Sequence, residues 1–575
     1  MQSRAPGASP ARAAGDARAA GATAALDARD RRSRWSRSAP YAFVALVALA
    51  VYANTLGNGF VYDDHIILHS PLLGKPWSFA AIFDNQFRPA SAGRIANYRP
   101  LNDWSHLLNY SLSRWITGAG ASGACFHLVN ALLHAAVACL ALAWFAELGL
   151  GRRVALTGAL LFAVLPIHTE AVANITGRSE MEAAMFGLVF LILHRRRARA
   201  WAAIAYALAL LCKESAIAFL PLAVAMDVCL PREEARRARD VPEHVAGARR
   251  LPLWSYGALA VIALAWLLLR AYAVQSADQL PTIVQNPLRF VPLGERLLTA
   301  ARVQLDYLRL ELFPIQLSSD YSMNQIPVVT SALDPRFLVF SAVLAAAIAG
   351  AWHLRRRAPI VAFAVLGYAI LFSTTSNFLV PIGTIMGERL AYAPSLMVSL
   401  LLASALWQAE RWIGARGVIA AVALLALAYA GKTFAQNRVW HDELTLFAEQ
   451  ARTAPDSAKA HAQYGNALVE AGRDREAIAQ YERSIAIRAY KPEVFYQMGC
   501  ALNRVHADPE QSIAAFRGAI ERLPNHLDAR AALALTLIAV RRWDEARAEV
   551  REIAARDPGH SSLDVLDRLL AAAPR

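Results

Sequence analysis

The chain has 575 residues, of which 56% are hydrophobic and only 18% charged. That balance excludes an ordinary soluble domain and indicates a membrane protein with many helices. The formal charge of +14 does not indicate nucleic acid, because the Arg clusters sit in short loops between apolar runs, as the positive-inside rule requires.

The five cysteines (Cys125, Cys139, Cys212, Cys229, Cys500) have no metal spacing and no paired framework. Four lie in or beside apolar runs, where Cys acts as a small hydrophobe.

Residues 1–39 are rich in Ala, Arg, Ser and Gly and lack an apolar core, which predicts a disordered cytoplasmic tail. A transit peptide has a similar bias, but Asp16, Asp27 and Asp30 argue for a plain tail.

About eleven apolar runs follow, near 41–57, 126–147, 153–171, 180–194, 200–212, 215–230, 253–272, 337–353, 359–376, 389–408 and 414–432. With that number, Arg31, Arg32, Arg34 and Arg37, then Arg152-Arg153, Arg195 to Arg197, Arg232 to Arg239, Arg355 to Arg357 and Arg411/Arg416 all fall on the cytoplasmic side. The N-terminus is then cytoplasmic. Loops 58–125 and 273–336, and everything after 433, lie on the opposite side. Within 58–125, Trp77 to Phe83 and Asp103 to Trp115 read as short amphipathic helices on the membrane surface. The 273–336 loop carries a further helical pattern near 294–312.

From Gln436 the composition becomes that of a soluble helical domain, and internal repeats appear. Gly465, Gly499 and Ala534 recur in step with Ala477, Ser512 and Ala546 and with Tyr481, Phe516 and Val550. Pro492, Pro524 and Pro558 restart the units. These are read as about three tetratricopeptide repeats spanning 433–575, with Trp440 to Thr453 as an incomplete leading helix.

The unusual polar clusters of the apolar part all fall at the non-cytoplasmic ends. They are Asp63-Asp64; Tyr98-Arg99-Pro100-Leu101; Pro166-Ile167-His168-Thr169-Glu170; Gly177-Arg178-Ser179-Glu180; Lys213-Glu214; and Glu388-Arg389 with Tyr392. Ionisable groups at membrane depth are costly, so their gathering at one face marks a candidate site. Blander readings exist. A loop Asp often caps a surface helix, Glu180 and Glu182 suit a first helical turn, and Glu388-Arg389 makes a simple ion pair. A divalent metal is a minority option: Asp63-Asp64 supply part of a ligand set, and Glu170 and Glu180 complete it only if the fold gathers them.

Taken in order, with His127-Leu128-Val129-Asn130, His134 and the repeat tail, these motifs resemble the transmembrane and tetratricopeptide-repeat-containing O-mannosyltransferases and their bacterial relatives. More distantly they resemble the protein O-mannosyltransferases of the GT-C superfamily. The resemblance implies an all-α fold, with a polytopic GT-C-type bundle over 40–432 followed by a tetratricopeptide α-solenoid. It implies a polyprenyl-phosphate sugar as donor, a Ser or Thr hydroxyl of a protein as acceptor, inversion at the sugar and no obligatory metal. The family's first-loop acidic motif falls on Asp63-Asp64, one of which is then the base. The repeat array is short and the Arg/Ala bias looks bacterial. Undecaprenyl phosphate carrying a hexose, in an inner membrane with periplasmic repeats, is therefore as good an expectation as dolichol-linked mannose.

The chemistry is consistent with this. A carboxylate takes the hydroxyl proton as attack proceeds. The phosphate leaving group needs cations, for which Arg99, Arg178, Lys213 and Arg389 are available, with His168, Glu170, Glu180 and Glu388 as further substrate-binding candidates. Membrane lipid and the lipid-linked donor are the expected partners of the bundle, and acceptor proteins or peptides those of the repeats. Transfer to a lipid or glycan acceptor is the alternative, as is a non-catalytic adaptor that recruits partners through its repeats. A transporter is disfavoured by the lack of inverted repeats.

Overall fold

The computed structural model describes residues 38–85, 97–230, 253–274, 282–489 and 491–572. Most of the N-terminal tail, with Arg31 to Arg37, and the Arg232 to Arg239 cluster lie outside them. The described residues are helical throughout and include no strand.

Every apolar run of the sequence is helical, but the spans are fewer than eleven by length and composition. Among the described residues, Ser38–Gly57, Gly123–Glu147, Trp254–Val274, Pro335–Leu354 and Glu410–Trp440 are the 5 helices long and apolar enough to cross a bilayer. Arg152–Val164 and Pro166–Val172 make a sixth only if the pair, bent by 49°, is one span. Arg199–Cys212, Pro359–Phe372 and Ser395–Gln408 are apolar but short. Arg178–Arg195 carries too much charge to qualify on this measure. The count of eleven is therefore not established.

The short helices fill the middle of the bundle. Gly123–Glu147 packs on Arg152–Val164 and Arg178–Arg195, the latter on Arg199–Cys212, and Ser395–Gln408 on Arg152–Val164. Their facing side chains, among them Trp144, Phe162, Leu188 and Tyr206, form one continuous core. Pro335–Leu354 has no buried residue and lies on the outside.

The site depends on where these helices break. Pro166 has no N–H to donate and forces Leu165 into an extended conformation (ψ 122°), so the helix stops and restarts at a new angle. Lys213 (ψ 143°) and Gly387 (ψ 131°) are likewise extended between helical segments. Irregular backbone inside a membrane bundle is tolerated where protein or a cavity satisfies it. Here each joint carries a charged residue beside it.

Beyond the bundle, Glu443–Thr453 leads into the pairs Ala458–Glu470/Asp474–Ile487, Pro492–Arg504/Pro509–Arg522 and Leu527–Ala539/Trp543–Arg556, closed by Leu563–Ala571. A Cβ at Gly465 would stand 2.5 Å from the Tyr481 ring, and one at Gly499 2.6 Å from Phe516. The small-residue and aromatic positions of the repeat thus meet across each helix pair, as their period predicts.

Candidate functional site

The first loop folds back under the bundle through a single turn, Tyr62–Asp64. Within it the two acids have different surroundings. Asp64 is fully buried. Its Oδ2 accepts the Val61 N–H at 3.2 Å and its Oδ1 the Thr176 N–H at 3.0 Å, tying the loop to the turn before Arg178. Burial pushes the Asp64 carboxyl up to about 8; the two N–H donors pull against that, and neighbouring Asp63 adds to it. Asp63 is partly exposed and lies within electrostatic reach of Arg389.

Three ion pairs gather beside this loop. Arg99 grips Glu214 through two bonds, Nε to Oε2 at 3.0 Å and Nη2 to Oε1 at 2.6 Å. Lys213 pairs with Glu180, both buried. Arg389 meets Glu170 twice, its Nη1 donating to Oε1 at 2.6 Å and its own backbone N–H to Oε2 at 2.9 Å. The pairs sense one another: Glu180 acts on Arg99, Lys213 and Arg389. Burial works against charge on Glu214, yet the Arg99 guanidinium holds its carboxyl well below the usual range. The Glu170 carboxylate holds Arg389 firmly protonated.

Glu388 faces away from its neighbour Arg389 and accepts the Ser318 N–H and the Tyr321 hydroxyl, each at 2.6 Å. Burial first, then the nearby Glu170 charge, pushes Glu388 up to about 8. A small cleft opens from Glu180 and Ser215 toward Phe219, Leu371 and Leu390, polar at one end and apolar along the rest.

Sequence comparisons place the chain among known proteins. The family model described as "Protein O-mannosyl-transferase TMTC, DUF1736" matches residues 279–348, and a tetratricopeptide-repeat model matches 506–572. Mouse "Protein O-mannosyl-transferase TMTC3" is 30% identical over 450 residues, covering 73% of this chain and 48% of its own length. The Caenorhabditis elegans "Protein O-mannosyl-transferase F38B6.6" is 28% identical, covering 76% of this chain and 61% of its own. Human "Protein O-mannosyl-transferase TMTC1" is 27% identical over 494 residues, with 76% and 54% covered. The chain is a relative of the TMTC proteins. It spans about half the length of curated relatives that it matches, 48% of mouse and of human TMTC3.

Against that TMTC frame, the structure divides the candidate residues. Asp63, Asp64, Arg99, Glu170, Glu180, Lys213 and Arg389 come together at one face. Arg178 does not offer its guanidinium there. It is fully buried, with Nε on Asn130 Oδ1 (2.8 Å), Nη2 on Asn109 Oδ1 (2.6 Å) and further donors on the Ser105 and Phe126 carbonyls. It is a clamp between the first-loop helix Pro100–Thr117 and the bundle. His168 is packed among Phe162, Tyr392 and His134 and pairs with the Ser395 hydroxyl at 2.7 Å. It holds the bent helix to Ser395–Gln408 and stands among rings rather than charges. Among the described residues, no three His, Cys, Asp or Glu side chains are grouped as metal ligands; Glu170 and Glu180, the possible completing ligands, each face a cation.

Sequence reading missed four residues at the loop: Tyr62, Asp320, Glu443 and Lys459. Lys459 donates to the Tyr62 hydroxyl (2.8 Å) and to Asp320 Oδ1 (3.1 Å), and Glu443 accepts the Tyr62 N–H at 3.2 Å. Only Asp320 left a trace, as the acid in the polar run Ser318 to Ser322 of an otherwise apolar region. That run lies inside the stretch matched by the TMTC family model.

Proposed function

We propose that the protein is a membrane glycosyltransferase that moves a hexose from a polyprenyl-phosphate to Ser or Thr hydroxyls of proteins. Asp63 acts as the base and Asp64 anchors the loop that presents it. The observation that carries this reading is a partly exposed carboxylate set beside preoriented cations at one face of an apolar bundle.

In the reaction, the Asp63 carboxylate takes the proton of the acceptor hydroxyl as its oxygen attacks the anomeric carbon from the side opposite the phosphate. The bond from that carbon to the phosphate oxygen breaks, and the electron pair leaves with the lipid phosphate. No proton is needed on that leaving group, because Arg389 and Arg99 neutralise the charge. Both keep some exposure, 30% and 18% of their side chains, whereas Lys213 is sealed. Lys213 instead keeps Glu180 in place beside the two partly exposed guanidinium groups.

The repeats contact the Asp63 loop, so loop and repeats share one side of the membrane. The positive-inside rule favours the cytoplasm for the Arg-flanked ends of the helices, and on that ground we infer a bacterial inner membrane with periplasmic repeats that receive the acceptor.

The test uses purified protein, labelled undecaprenyl- and dolichyl-phosphate hexoses, and the secreted proteins of the host, with Asp63→Asn as control. Label entering protein, and lost in the control, supports the reading. Label entering lipid or glycan instead moves the acceptor. A folded protein that binds peptides but turns over no donor points to an adaptor.

A further inference from the structure

We propose that Lys459, from the first tetratricopeptide repeat, is a positioning residue for Asp63, so that the repeat domain completes the catalytic centre as well as holding the acceptor. This rests on the transferase reading above.

The argument starts at Tyr62, the residue before Asp63. Its φ is 55°, in the left-handed region that a bulky side chain adopts only when its surroundings impose it. This twist sets the direction in which Asp63 leaves the loop. Asp64 fastens the loop on the bundle side, through the Val61 and Thr176 amides. Tyr62 itself is fastened entirely from the other side. Its N–H donates to Glu443, its ring stands edge-on to Phe447 with centroids 6.0 Å apart, and its hydroxyl accepts from Lys459.

Lys459 is held in turn. Its Nζ lies 5.2 Å over the Tyr62 ring. It pairs with Asp320, whose other oxygen accepts the Ser457 and Ser322 hydroxyls, each at 2.6 Å. Burial opposes the ammonium charge, but Asp320 and Tyr62 more than compensate and hold it protonated. A lysine head is ordinarily left in water. Here its head is spent on the membrane domain.

The same polar run extends the coupling. The Ser318 hydroxyl meets Thr453 at 2.9 Å while the Ser318 N–H holds Glu388, next to Arg389. The leading helix and the first repeat together thus touch the supports of both the base and a phosphate-binding cation.

The expected effect is on turnover rather than on acceptor binding. A displacement of about 1 Å at a reacting group costs on the order of 100-fold in rate. Lys459→Gln should lower kcat by up to that factor while changing KM for a synthetic Ser/Thr peptide by less than about threefold. Lys459→Arg should recover most of it. Tyr62→Phe, which removes only the hydroxyl and leaves the Lys459–Asp320 pair, should give a smaller loss of kcat and guards against a folding defect in the first variant. Amide exchange at Val61 to Asp64 should quicken in Lys459→Gln. The assay uses undecaprenyl-phosphate mannose with full-length protein and Asp63→Asn alongside. If Asp63→Asn is inactive but Lys459→Gln keeps wild-type kcat, or raises KM alone, the positioning role is overturned and the transferase reading survives. If Asp63→Asn is as active as wild type, both are overturned.

Discussion

Asp63 and Asp64 are adjacent and chemically identical, and the proposed mechanism gives them opposite work, so replacing each by Asn is the sharpest available test. Asp64 is sealed from solvent and so from an acceptor hydroxyl, its carboxyl is pushed up to about 8 by burial, and both its oxygens already accept backbone N–H groups. It is a poor base and a good anchor. An Asn at 64 has one acceptor oxygen where the site presents two donors, so its amide must point N–H at N–H. The Val61 N–H can keep its partner. The Thr176 N–H retains a second acceptor, Asn174 Oδ1 at 3.0 Å, which softens the loss. A buried donor set against a donor costs about 1–3 kcal/mol, and the fallback acceptor places this case near the lower end. Asp64→Asn should therefore lower the apparent melting temperature by a few degrees and reduce turnover only in part. Asp63→Asn should leave melting unchanged and remove general-base assistance, a loss of about 10²–10⁴-fold. Thermal scanning of detergent-purified variants beside label-transfer assays reads both quantities. An Asp64→Asn protein that melts like wild type yet is inactive, beside an active Asp63→Asn, would refute the assignment.

Three further outcomes follow from the geometry. Arg178→Met removes a fully buried guanidinium from Asn109, Asn130 and two carbonyls and leaves Glu182 without its counter-charge, at a cost of about 3–5 kcal/mol; fluorescence-detected gel filtration should show little folded protein, and a well-folded but inactive variant would instead favour a phosphate-binding role. Glu388 has a folded pKa raised from 4.5 to about 8, so its contribution to stability is complete below 4.5 and lost as pH rises through 8; melting temperature should fall across that window, and Glu388→Gln should flatten the fall. Gly465→Ala places a methyl 2.5 Å from the Tyr481 ring, an overpacking cost of about 1–3 kcal/mol; limited proteolysis should open the repeat domain first, and resistance equal to wild type would contradict the packing.

What could be read in the sequence was whatever is local or periodic. The repeats announce themselves because Gly465 and Tyr481, or Gly499 and Phe516, sit at fixed offsets within one helix pair. The helix over Leu293–Leu312 follows its period in the same way, starting within a residue of the expected position. The charged joints were visible because ionisable residues stand out against apolar runs. Span number was not legible, because a short apolar helix buried in a bundle and a membrane crossing have the same composition. Arg178 was read as a free cation because Asn109 and Asn130, which enclose it, come from two other helices. The pairing of Lys459 with Asp320 was invisible for the same reason: they are 139 residues apart, and a lysine early in a repeat helix reads as solvated.

The pairing of the site cations also explains how three largely buried cations can be held together at one face. Arg99, Lys213 and Arg389 stand against Glu214, Glu180 and Glu170, so the cluster is neutral before substrate arrives. Unpaired buried cations would be expensive, whereas paired ones are already oriented. A donor phosphate can then draw on the exposed edges of Arg99 and Arg389 without first gathering them from solvent, and the carboxylates fix where those edges point. Substituting Glu170 with Gln should on this view free Arg389 to move. Ground-state affinity for an anionic donor would rise or hold while turnover falls, because electrostatic catalysis depends on charge fixed at the position where the leaving oxygen develops its own. A Glu170→Gln enzyme with unchanged kcat would show that the carboxylate only balances charge and does not aim it.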